Sequence, residues 1–96
     1  MQYQDFINSL EAQSCPAGAD AYLQALWFDA RGNWQKAHQI VQDIEDATAA
    51  RIHAYLHSKE GDDWNAKYWH RQAGTEFPAG LSLQQEWDML VRQLTD

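Results

Sequence analysis

Ninety-six residues carrying a formal net charge of −7 suit one small acidic domain with a single modest core. Seven Lys and Arg against fourteen Asp and Glu cannot line a phosphate-binding surface, so neither nucleic acid nor an anionic membrane is expected as a partner. The lone Cys15 excludes a disulfide framework, and no stretch approaches the roughly 20 apolar residues that span a bilayer, so a cytoplasmic protein is the expectation.

Ala, Gln and Leu are plentiful while Val and Ile are scarce, which favours helix and leaves no strand to predict. The first helix, over 3–12, sets Phe6, Ile7 and Leu10 on one stripe and stops before Ser14-Cys15-Pro16. The second spans about 19–31 and ends at Gly32. Asn33 caps a third helix whose buried face is Ala37, Ile40, Val41 and Ile44. Asp46 or Thr48 restarts the chain into a fourth helix, which runs to about Glu60 and ends at Gly61. Asp62 or Asp63 then caps a fifth, to about Gly74. A loop over 75–80 follows. Ser82 with Gln85 forms a capping box that opens the last helix, where Leu83, Trp87, Leu90, Val91 and Leu94 make the apolar stripe. Short turns predict antiparallel neighbours, giving an all-α domain of about six helices over residues 1–96.

Within this order lies a self-copy. Ala21, Ala25, Gly32 and Ala37 recur 29 positions later as Ala50, Ala54, Gly61 and Ala66. Small side chains at fixed offsets let helix backbones approach closely, so 19–78 reads as two copies of one helical hairpin, with helices 3–12 and 82–95 as end caps. Gly32-Asn33-Trp34 followed by Ala37, with Ala25 and Phe28 upstream, resembles the tetratricopeptide repeat. So does the second copy, with Ala54, Gly61-Asp62, Ala66, Ala73 and Pro78. The units lie closer together than the family's spacing of about 34 residues, and its usual Leu at the seventh position is replaced by Gln24 and then His53. The resemblance implies a right-handed stack of helical hairpins and a peptide-binding or assembly role. The runs Trp27–Trp34 and Ile52–His57, with Asn65-Ala66 and Tyr68-Trp69, are also similar to a family of short microbial helical proteins, a likeness that brings no activity with it.

His53, His57 and Glu60 stand at i, i+4 and i+7, so they fall along one face of the fourth helix. Two imidazoles four residues apart can grip one metal ion, and a carboxylate one turn on can supply a third ligand. His38 or Asp43, from the preceding helix, is a further candidate. The plain alternative is a pair of neutral core histidines bonded to neighbouring polar groups. Asn65 and Trp69 share a side of the fifth helix and are candidate walls of a polar pocket. Trp64, Tyr55, Tyr68 and Trp69 are candidates for a groove. His70 is expected at the surface or half-buried. No phosphate loop, nucleophile elbow or Ser-His-Asp series is present, which weighs against an enzyme, and no organic cofactor is indicated. The leading expectation is a domain that binds a protein, a peptide or a second copy of itself. Its alternative is a small-molecule or metal site built on His53, His57 and Glu60, the metal-ligand candidates, with His38, Asn65 and Trp69 as walls; the candidates for binding a ligand or a partner are together His38, His53, His57, Glu60, Asn65, Tyr68, Trp69 and Trp64.

Overall fold

The computed structural model describes residues 1–96 and is all-α. Its helices are α1 (Tyr3–Ser9), α2 (Ala21–Ala30), α3 (Trp34–Gln42), α4 (Ala47–Lys59), α5 (Asp63–Ala73) and α6 (Leu83–Leu94). No helix is long and apolar enough to cross a membrane. The starts of α2 to α6 are set by side-chain acceptors for free first-turn amides: Asp20 for Leu23, Asn33 for Lys36, Asp46 for Ala49, Asp62 for Asn65 and Ser82 for Gln85. Ser82 and Gln85 complete the expected capping box.

The self-copy is visible bond by bond. At the α2–α3 turn Arg31, Gly32 and Asn33 donate to the carbonyls of Trp27, Asp29 and Phe28. At the α4–α5 turn Glu60, Gly61 and Asp62 donate to Leu56, Ser58 and His57, the same set displaced by 29. Gly32 and Gly61 turn the chain with φ of 82° and 83°, which disfavours any side chain there. Ala25, Ala37, Ala54 and Ala66 are fully buried. Helix α2 packs on α3 and α4 on α5, so the matched alanines lie where the helices of each hairpin meet. The copies differ at one end. Asp46 starts α4 earlier than the repeat requires, leaving α4 with 13 residues against 10 in α2.

The core lies among α2, α4 and α6, where Leu23, Leu26, Ile52, Leu56, Leu90 and Val91 pack with Phe6 of α1. Three indoles tie the elements together through their N–H groups: Trp27 donates to Ser9, Trp34 to Leu56 and Trp87 to Leu26. Helices α1 and α6 meet each other through Phe6 against Trp87 and Tyr3 bonded to Asp88.

Two helix details differ from expectation. Helix α1 stops at Ser9 rather than continuing to 12: beyond it the amides of Leu10, Glu11 and Ala12 donate three residues back, to Ile7, Asn8 and Ser9, so the chain leaves the α-helix through tighter turns. Trp27 and Arg31 then hold the carbonyls of Ser9, Leu10 and Ala12. On α6, Leu83 is exposed and Glu86 takes a buried place on the packed face, because Arg51 reaches across from α4 to pair with it.

Candidate functional site

Helix α4 carries two polar stripes, and each does something different. The first, Arg51, Tyr55 and Lys59 at i, i+4 and i+8, faces α6 and α2. Arg51 Nη1 donates to Glu86 Oε2 at 2.7 Å, Tyr55 donates its hydroxyl to Asp29 at 2.8 Å, and Lys59 Nζ donates to the other oxygen of Asp29 at 2.9 Å. Asp29 and Glu86 are both buried, and each charge is matched by a cation one helix away. Burial first, then the neighbouring Asp29 carboxylate, hold the Tyr55 hydroxyl protonated far above the ordinary phenol range. These residues fix how α4 sits on α2 and α6. The spacing of Arg51, Tyr55 and Lys59 was the signal for them, but the acids they meet lie at sequence separations of 35, 26 and 30.

The second stripe holds the predicted histidines. Because the Gly32 turn folds α3 back on α2 and α3 in turn packs beside α4, His38 comes within reach of His53 and His57. A ring nitrogen from each of the three lies within 4.8 Å of those of the other two. His38 Nε2 and His53 Nε2 share a hydrogen bond of 2.9 Å. Two nitrogens on a tetrahedral ion at zinc–imidazole distances stand about 3.3 Å apart, so this pair needs to open by only a few tenths of an ångström. His57 Nδ1 donates to Glu60 Oε1 at 2.6 Å. A carboxylate so held on Nδ1 leaves the Nε2 lone pair of the neutral ring free, the arrangement in which an outer carboxylate orients a metal-binding histidine.

Aromatic rings wall this cluster. Trp34 stacks on His38 with centroids 4.9 Å apart, and Trp69 stacks on His53 at 3.9 Å. Indoles offer no lone pair, so they exclude water without supplying a ligand. His53 and His57 are buried and His38 is half-buried. Burial, reinforced by the charges of His38 and His57, pushes the His53 imidazole down to about 4. Burial and the charge of His57 lower His38 as well, with Glu60 pulling the other way.

The remaining candidates divide. Glu60 is in the cluster as the partner of His57, while His38 rather than Glu60 completes the trio of close ring nitrogens. Asn65 bonds through backbone and side chain to Asp62, which lies with Glu60 beside His57. Tyr68 meets the edge of Trp69 at 5.2 Å. Trp64 stands in solvent, 74% exposed. Tyr55 does not join a surface groove: it is buried, because Asp29 accepts its hydroxyl inside the core. His70 is also buried, contrary to expectation. Its place four residues after the fully buried Ala66 turns it inward, where Nδ1 meets Thr75 Oγ1 at 2.8 Å and Nε2 has no partner. Comparison with protein-family models, with curated proteins and with solved structures gives no match.

Proposed function

We propose that the protein binds a divalent transition-metal ion through His38, His53 and His57, with Glu60 orienting His57. The observation that carries this reading is the convergence of three imidazole rings, with a nitrogen of each within 4.8 Å of the others and the ring of His57 held through its Nδ1 on a carboxylate. Cavity positions favour an ion over an organic ligand. None of the three cavities of the molecule has a histidine in its wall, and only one reaches a residue that walls the cluster, Trp69. An ion needs only the gap between the nitrogens. Neutral imidazoles suit zinc, copper, nickel and cobalt rather than magnesium or calcium.

Zinc titrated into chelator-treated protein should bind at one ion per chain by calorimetry. Free zinc a hundredfold above Kd should stabilise the fold by about 2.7 kcal/mol in denaturant melts. His53→Ala and His57→Ala should each abolish that gain, and the absence of heat and of any stabilisation in the wild-type chain would reject the reading.

A second reading, association through an aromatic strip, is supported by Trp64 and Tyr68. They lie one turn apart on α5, exposed by 74% and 39%, and Arg71 is set over the Tyr68 ring. Rings of this kind are favoured at interfaces. If this strip joins two copies, sedimentation equilibrium should give a dimer that Trp64→Ala turns into a monomer. A wild-type monomer at every concentration would dispose of self-association.

A further inference from the structure

The histidine trio has a second property, which rests on the metal-binding reading. No fourth His, Cys, Asp or Glu brings a ligand atom within 4.8 Å of the three ring nitrogens. Glu60 is committed to Nδ1 of His57, the ring atom opposite the lone pair that an ion would use. Asp62 is committed too, since one oxygen accepts from the Asn65 amide as the cap of α5 and the other from the Asn65 side chain. Trp34 and Trp69 flank the cluster, and an indole cannot coordinate: its single polar hydrogen is a donor, and in Trp34 it is given to the Leu56 carbonyl. Three protein ligands and no fourth is the donor count of zinc sites that keep one position for an exchangeable ligand. Closed structural sites use four.

We infer that a metal ion held by His38, His53 and His57 keeps one coordination position open to solvent, and that this position exchanges its water for small monodentate anions. Access comes from the side of His38, the half-buried member of the trio. Size selection follows from the surroundings. With no cavity lined by the histidines and indoles stacked on His38 and His53, a ligand of a few atoms is favoured over a bulky one. Charge favours the same class, because three neutral imidazoles leave the full double positive charge of the ion uncompensated in its inner shell, and an anion reduces it. Glu60 is a positioning residue here: it acts on the ion only through the imidazole of His57.

Cobalt(II) is the probe, since its visible bands report coordination number and ligand exchange directly. Chelator-treated protein loaded with one equivalent of cobalt should show the intense bands of a four-coordinate ion, and sodium azide should shift them saturably. Benzoate, a bulkier anion, should leave them unchanged. Glu60→Gln should keep the azide shift but bind cobalt about 10- to 100-fold more weakly, with an unchanged melting temperature in the metal-free state. Absence of cobalt bands in the wild-type protein would overturn metal binding itself. Bands that azide cannot move would leave metal binding standing and overturn the open position. An azide shift seen only in Glu60→Gln would overturn it as well, by identifying Glu60 as the fourth ligand.

Discussion

Lowering the pH from about 7 to about 4 should remove about 3 kcal/mol of folding stability through His70 alone. The ring is 2% exposed on α5, and burial first, then the Arg51 charge, push it down to about 4. In the unfolded chain the same ring takes up its proton near 6.5. Between those values the unfolded state binds a proton that the folded state refuses, so stability falls as pH falls through that window and is level above it. The geometry gives the reason. A proton added to His70 would charge a ring whose Nδ1 already faces Thr75 and whose Nε2 has no acceptor. His53 is depressed in the same range and adds to the slope in metal-free protein. Urea melts at half-unit pH intervals, with chelator present, measure the effect. His70→Gln should flatten the curve between about 6.5 and 4; an unchanged slope in that variant would show that His70 is not its source. Asp46, Asp62 and Asp88, all held below the usual carboxylate range by hydrogen bonds, act only at lower pH.

The second large effect concerns Arg51. Removing its guanidinium in Arg51→Ala leaves Glu86, 3% exposed, as an unpaired charge between α4 and α6, and breaking such a pair typically costs about 3–5 kcal/mol. Replacing both partners, as Arg51→Met with Glu86→Leu, should recover most of that loss, because the penalty lies in the stranded charge and not in the missing attraction. The wild type, Arg51→Met, Glu86→Leu and the double variant form a double-mutant cycle readable by denaturant unfolding. A loss below about 1 kcal/mol in Arg51→Ala would mean that water reaches Glu86 and that the pair behaves as a surface one. Because the Arg51 charge also holds His70 down, its removal should narrow the acid window of the first prediction from the low-pH side.

These two positions also mark where sequence reasoning stopped. Element order was legible because the starts of α2 to α6 each have a side-chain acceptor and each repeat turn a glycine: Asp20, Asn33, Asp46, Asp62, Ser82, Gly32 and Gly61 are local signals. The facing of His53 and His57 was legible from their spacing on one helix. What spacing cannot supply is the neighbour. His38 reaches His53 from another helix, and Glu86 is buried only because Arg51 arrives from a position 35 residues away. His70 was misread for a similar reason. Judged alone it is a polar residue near a helix end, and its burial follows from the way α5 lies on α4, which the buried Ala66 one turn earlier already hinted at. Helix α1 fell short because the amides after Ser9 donate three residues back instead of four, a change of turn that the apolar spacing of Phe6, Ile7 and Leu10 does not report.

The contact between α1 and α6 has a consequence in time. Each hairpin joins neighbours in the chain, and such local contacts form fast because little chain entropy is lost in closing them. The bond from Tyr3 to Asp88 closes a separation of 85 residues. Terminal docking is therefore expected to come last and to be the first contact undone. Tyr3, Phe6, Trp87 and Asp88 form a late-setting clasp, and weakening it speeds unfolding while leaving the rate of hairpin formation nearly untouched.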